Sequence, residues 1–378
     1  MTVILDTTVY FSDPNFQTTE MIKLRQLCKD KKITLFIPQI VQKEFKSQEE
    51  EKFVSIAKTL LEKIQIRNSK STCNEEKKIL DELQEETKLI IEKCKKSIEI
   101  KVDSFVKETN AIVKMLTLNE YNDAFEKYFN NDRPFPKLEL VKSREDVRKH
   151  IPDSLIFVQV MNKKGDDVVF ISKDKNLRES VKAIGVTSYS DLLEFIESDK
   201  IKAVIDYKNA DDFLFKYFNE NFNHNNKNIS EMINQSLEKE LYYKNFIDRD
   251  IPDDNNEGTI TGINVIYSLE IINNKILNLG NGLFSVPFSC KIDANIEYYI
   301  FKADFYCLDE DRMKNISIED WNRHYYQAEE SLILSCDGKI GIQFNIDMSE
   351  MIEIQDIKID DLLKDINLSF SDLNIEVE

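Results

Sequence analysis

Four acidic side chains in the first half of the chain recur at equivalent places in its pattern of strands and helices: Asp6, Glu44, Asp153 and Asp174. Asp6 directly follows the apolar run "VIL" and has hydroxyls beside it in "LDTTV". Glu44 falls in the first turns of the helix expected after a second apolar run, Asp153 in the first turn of "IPDSLIF", and Asp174 just after "DVVFIS". In an open parallel sheet, the carboxyl ends of the strands and the starts of the following helices meet along one edge, where ligands bind. Carboxylates gathered there repel one another and raise one another's pKa values unless a cation neutralises them. An all-oxygen donor set suits a hard divalent ion, Mg2+ or Mn2+. Such an ion can activate water and stabilise charge on a phosphoryl group in transfer. Each residue also has a plain structural role open to it, since an acid in a helix's first turn often only caps it or meets its dipole.

The elements that must hold these side chains read as strand, helix, strand, helix over residues 1–46. "TVIL" is the first strand, "TEMIKLRQLCKDKK" a helix with Met21, Leu24 and Leu27 on one face, and "ITLFIP" a strand ending at Pro38. From about 45 to 130 the pattern becomes helical, without Gly or Pro until Pro134. Ile79, Leu83, Ile90, Cys94, Ile98, Val102 and Phe105 predict a long amphipathic helix forming one arm of a hairpin. The β/α rhythm then returns: a helix from "IPDSLIFVQVMNKK", a buried strand "DVVFIS", a helix "KDKNLRESVKAI", a short strand "GVTSY" and a last helix "YSDLLEFIES". Alternation of this kind predicts an α/β domain with a mainly parallel sheet.

The second half has a different character. An Asn-rich stretch, "NENFNHNNKN", suggests a link, and residues 201–258 read as a helical or linker segment. Beyond it, "INVIYSLEII", "GLFSVPFSCKIDANIEYYIFKADFYCL", "ESLILSCDGKIGIQFNID" and "INLSFSDLNIEVE" read as strands, with turns at "NNK", "GNG" and "CDGK", giving a β-rich domain over 259–378. The charge is split in the same way. Residues 1–205 hold 36 Lys and Arg against 35 Asp and Glu, whereas residues 206–378 hold 15 against 34. All of the net charge of −18 therefore belongs to the second half, and the first is free to carry a local basic face. With 8 glycines the chain has neither GxGxxG nor GxxxxGK[ST], which excludes the usual phosphate-cradling loops. Six scattered cysteines without CxxC spacing, no secretory leader and no long apolar run predict a cytoplasmic chain with reduced thiols and no membrane segment.

The residues that carry the acidic set also carry a resemblance. "LDTTV" at 5–9, "PQIVQKEF" at 38–45, "IPDSLIFVQV" at 151–160 and "VVFISKDKNL" at 168–177 resemble, in order and spacing, the motifs of the PIN domain nucleases. The likeness covers about residues 1–200 and is greatest to a bacterial PIN-like branch with a helical insertion before the third acid. It implies a Rossmann-like parallel sheet and a metal-dependent endoribonuclease. Asp6, Glu44, Asp153 and Asp174 would be the catalytic metal ligands for Mg2+ or Mn2+, with Thr8, Ser172 and Asn176 in support. Thr8 stands where Asn or Ser is usual, and Asn176 where some relatives have a further Asp that would serve a second metal. A toxin-like or antiphage role follows from the resemblance alone. A catalytically weak or inactive binding module and a nuclease acting on DNA are the alternatives.

For substrate, nucleic acid is expected, RNA before DNA. Lys142, Arg144, Arg148, Lys149, His150, Lys173, Lys175 and Arg178 cluster near the acidic edge; of these Arg148, Lys149, Lys173 and Lys175 are the candidates for phosphate contacts. Trp321 and its aromatic neighbours are expected to fill core. The helical arm and the acidic second domain are the candidate surfaces for self-association or a protein partner.

Overall fold

A computed structural model describes residues 1–135, 147–163, 167–205, 214, 227–272, 275–344 and 366–378. The chain divides into two compact units, Met1–Val204 and Ile205–Glu378.

The first unit is built on five parallel strands in the order β3-β2-β1-β4-β5: β1 (Thr2–Leu5), β2 (Thr34–Pro38), β3 (Ile112–Lys114), β4 (Val168–Ile171) and β5 (Thr187–Tyr189). The runs of branched apolar residues in β1 and β4 are what a parallel strand covered on both faces requires, and Val3, Ile4, Leu5 and all of β4 are buried. Around the sheet lie α1 (Thr7–Ser12), α2 (Thr19–Lys29), α3 (Gln39–Lys70), α4 (Asn74–Thr109), α5 (Leu118–Asn130), α6 (Ile151–Asn162), α7 (Lys175–Ala183), α8 (Leu192–Ile196) and α9 (Asp199–Lys202).

α3 and α4 form the expected hairpin, and four aromatic rings fix its base to α1. Phe45 of α3, Phe105 of α4, Tyr10 and Phe16 pack together, with Phe16 stacked on Phe105 at 4.4 Å between ring centres. The apolar stripe proposed from the sequence is split, however. Cys94, Ile98, Val102 and Phe105 line the seam against α3, but Ile79, Leu83 and Ile90 are exposed. Leu80, Gln84, Thr87 and Ile91 complete the seam instead, a spacing of three and four that includes two polar residues.

The stretch read as wholly helical also contains β3. Asn110 ends α4 in the left-handed conformation at φ 48°, and Ile112–Lys114 then pairs with β2 as the sheet edge. α5 follows with a capping box between Thr117 and Glu120. Burial opposes ionisation of Glu120, but hydrogen bonds from Thr117, Lys114 and Asn162 prevail and hold its carboxyl down at about 2. Glu120 thereby ties β3 and α5 to α6, through Lys114 at 3.0 Å and Asn162 at 3.1 Å.

The second unit is an antiparallel seven-stranded sheet: β6 (Asn245–Ile247), β7 (Glu257–Ile271), β8 (Leu277–Asn278), β9 (Leu283–Phe301), β10 (Ser317–Asp320), β11 (Tyr325–Phe344) and β12 (Ile366–Val377). β6 lies inside the stretch read as linker. With the sheet go α10 (Lys227–Leu241) and two short helices, α11 (Lys302–Phe305) and α12 (Glu310–Asn315). Even-numbered residues of β9 from Phe284 to Ile300 are buried and join Ile233, Leu237 and Leu241 of α10 in one core, as the two-residue period of a strand demands.

Three expectations fail here. "CDGK" is no turn: β11 continues through Cys336–Lys339, in unbroken register with β9 and with a shift against β12 at Asp337–Lys339, and a Cβ at Gly338 would lie 3.0 Å from the Ser371 carbonyl oxygen of β12. The "KADFYCL" end of the second strand-like run turns instead into α11. Trp321 is half-exposed and lies against Tyr299, 5.0 Å between ring centres, because it falls in the link after β10 and not on the buried face. "GNG" does turn, with Gly280, Asn281 and Gly282 all at positive φ, while most of "NNK" and of the Asn-rich stretch lies outside the described residues. The scattered cysteines include one neighbouring pair, Cys290 and Cys336, opposite each other on β9 and β11 as free thiols.

Candidate active site

Asp6 is the hub of the carboxyl edge. It leaves the end of β1 buried, 4% exposed, and its backbone N–H continues the ladder to the Ile171 carbonyl of β4 at 2.9 Å. Its Oδ2 accepts hydrogen bonds from Thr8 Oγ1 at 2.6 Å and from Ser172 Oγ at 2.8 Å. Each hydroxyl also accepts from the loop after β4: Thr8 from Lys173 N–H at 3.1 Å and Ser172 from Asp174 N–H at 3.0 Å. Every proton in this network is used once, so the start of α1 and the loop leading to α7 are held in register with one carboxylate oxygen.

The other three acids are oriented by the same economy of one oxygen each. Glu44 is half-buried on α3, its Oε2 accepting from Thr7 Oγ1 at 2.7 Å. Asp174 caps α7, its Oδ1 accepting from Leu177 N–H at 2.7 Å. Asp153 lies in the first turn of α6, its Oδ2 hydrogen-bonded to His150 Nδ1 at 3.0 Å. Among the described residues, the second oxygens of Asp6, Asp153 and Asp174 take no hydrogen bond, and that of Glu44 meets only Gln48 at 3.5 Å.

The electrostatics tie the set together. Burial pushes the Asp153 carboxyl up to about 6; the hydrogen bond from His150 opposes this, and the negative charges of Asp6 and Asp174 add to it. Burial likewise raises Glu44, against the Thr7 hydroxyl and with the Asp6 charge. Asp6 thus bears on both Glu44 and Asp153, and Asp174 on Asp153. Among the described residues, no lysine or arginine forms an ion pair with any of the four. Also among the described residues, no group of three or more His, Cys, Asp or Glu side chains stands close enough together to hold a metal ion.

Around this edge Arg148, Lys149, Lys173, Lys175 and Asn176 are exposed. Arg178 is committed elsewhere, its Nη1 donating to the Ser172 carbonyl at 2.5 Å. Lys142 and Arg144 lie outside the described residues. Two partners were not singled out in the sequence as site residues: Thr7, whose only signal is its place among the hydroxyls of "DTT", and His150 as the partner of Asp153, spaced three residues before it.

Residues 3–177 match a family model described as PIN domain. No curated protein matches the chain. Among solved structures, a chain of the crystal structure of VapBC2 from Rickettsia felis bound to a DNA fragment from their promoter matches at 12% identity and a TM-score of 0.25, over 50% of this chain and 98% of that one. A similarity that slight adds nothing to the assignment. The motif order, the parallel sheet and the matched segment agree: residues 3–177 match the PIN domain and fold as a PIN-like α/β domain.

Proposed function

We propose that the PIN domain is a divalent-metal-dependent endoribonuclease whose acidic centre is Asp6, Glu44, Asp153 and Asp174. PIN domains are in general nucleases that use divalent metals. The observation that carries the reading is the shared charge: four carboxylates, of which Glu44 is raised by burial and by the Asp6 charge and Asp153 by burial and by the Asp6 and Asp174 charges, with no Lys or Arg ion pair among the described residues. An all-oxygen set of this kind fits Mg2+ or Mn2+. The ion, when bound, would supply an activated water and neutralise charge on the phosphoryl oxygens.

The chain's own residues would do the rest. Thr8 and Ser172 hold one oxygen of Asp6, Thr7 one of Glu44 and His150 one of Asp153, and the remaining carboxylate oxygens would be the ones to hold the ion. Lys173 and Lys175 at the start of α7, with Arg148 and Lys149 before α6, would contact backbone phosphates and position the strand. Asn176, in place of a further acid, favours one ion over two. RNA as substrate and a toxin-like or antiphage role belong to the same proposal.

The test is cleavage of single-stranded RNA with Mn2+ by the full chain and by Asp6→Asn and Asp153→Asn. Wild-type cleavage that falls at least a hundredfold in each variant supports the proposal. Equal cleavage by all three removes it. Cleavage of single-stranded DNA in place of RNA would move the substrate assignment alone.

A further inference from the structure

The α3–α4 hairpin carries more apolar surface than its own seam uses. On α3, Ile56 and Leu60 are exposed, Ile56 at 73%, and each directly precedes a residue that turns inward, Ala57 and Leu61. On α4 the same holds three times: exposed Ile79, Leu83 and Ile90 directly precede Leu80, Gln84 and Ile91 of the seam. One residue is about 100° of helix rotation, so all five lie to the same rotational side of the seam. The helices are antiparallel, as the pairs Arg67–Glu76 near the tip and Lys46–Asp103 near the base show. In an antiparallel pair, equal rotational offsets fall on the same face. The five side chains therefore make one apolar face across both helices.

The charges around that face are segregated. Toward the tip, α3 contributes Lys63, Arg67 and Lys70, while α4 contributes Glu75, Glu82 and Glu86. A surface with a basic half, an acidic half and an apolar centre is complementary to itself when a second copy lays its α3 over this α4. From 52 to 70 on α3 and 75 to 93 on α4 the face is about 27 Å long and about 20 Å wide. Two such faces bury roughly 1,100 Å² in all, the low end of specific interfaces. We propose that this face is a two-fold self-association surface, on which two hairpins pack as a four-helix bundle and the chain forms a concentration-dependent dimer.

Sedimentation of the full chain over a concentration series tests it, with two charge reversals on exposed positions. Glu75→Lys with Glu82→Lys makes both halves basic, and Lys63→Glu with Lys70→Glu makes both acidic. Wild type is expected to dimerise, each double variant alone to lose at least tenfold in dimer affinity, and an equimolar mixture of the two to regain it, since every contact in the mixed dimer joins opposite charges. A wild-type chain that stays monomeric throughout overturns the proposal. So does a dimer that both reversals leave intact, or a mixture that stays monomeric.

Discussion

Asp153→Asn should stabilise the metal-free protein, an unusual result for removing a native polar group. In the folded chain the Asp153 carboxyl keeps its proton up to about 6, whereas its ordinary value is 3.8. A carboxyl raised on folding contributes stability that is fully present below the unfolded value and lost as pH rises through the folded one. Near neutral pH the wild type therefore carries the penalty of an ionised, mostly buried carboxylate beside Asp6 and Asp174, and Asn carries none. A shift of about two units corresponds to about 3 kcal/mol, and the side chain is 28% exposed, so solvent screens only part of it. Losing a negative charge in the first turn of α6 returns about 0.3–1 kcal/mol. The net gain of about 2 kcal/mol should raise the melting temperature of a unit this size by about 4–8 °C.

Calorimetry is the suitable assay, because the single tryptophan, Trp321, belongs to the other unit. The difference between variant and wild type should be largest near pH 7.5 and vanish below about pH 4, where both side chains are neutral. Adding Mn2+ should reverse the order: a site filled to a hundred times its dissociation constant adds about 2.7 kcal/mol to the wild type and little to the variant. A variant no more stable than wild type at any pH would refute the electrostatic reasoning. A wild type that Mn2+ leaves unmoved would refute the cation.

The other predictions concern the partners of buried charges. Ser172→Ala removes the 2.8 Å bond to Asp6 and the acceptor for Asp174 N–H; it should lower stability by about 1–3 kcal/mol and weaken Mn2+ binding measured by calorimetric titration, whereas Ser172→Thr should restore part of both. In the second unit, Glu330 is buried with Arg312 at 2.6 Å and Tyr298 at 2.8 Å. Arg312→Ala strands that carboxylate and should cost about 3–5 kcal/mol, followed by Trp321 fluorescence in urea; adding Glu330→Gln should recover most of the loss.

Much of this was legible because parallel strands and first-turn acids leave strong local marks. Asp6 follows "VIL", Asp174 follows "DVVFIS", and Pro152 marks the start of α6, so the positions of three acids followed from the places where their elements end and begin. What the sequence concealed were contacts without periodicity. β3 is three residues long and sits between helices, too short for any pattern to reveal it. The hairpin seam was misread by one residue over half its length, since its true register runs through Gln84 and Thr87 while its neighbours Leu83 and Ile90 are apolar. Burial on a helix goes to the register that fills the groove, and a second apolar stripe next to the first defeats any reading by hydrophobicity alone. "CDGK" misled for a related reason: Gly338 is there for a close approach by β12, and a glycine between polar residues looks the same whether it turns or yields space.

The strand order explains why Asp6, and none of the other three acids, is the hub. β1 is central: the chain goes from it to β2 on one side and returns from the helical region to β4 on the other. At such a switch point the connections leave in opposite directions and open a crevice at the carboxyl ends of the strands. Asp6 stands there, with Glu44 coming from the helix after β2, Asp174 from the start of the helix after β4, and Asp153 from the helix that precedes β4. The long α3–α4 excursion leaves through the helix bearing Glu44 and comes back at the sheet edge, on β3. Its base is clamped by Phe45 and Phe105 against Tyr10 and Phe16. Beyond that clamp the arm reaches the carboxyl edge and α1 only through its first turns, by Gln48 to Glu44 at 3.5 Å and Lys52 over the Phe11 ring, among the described residues, so its tip can change without moving Asp6.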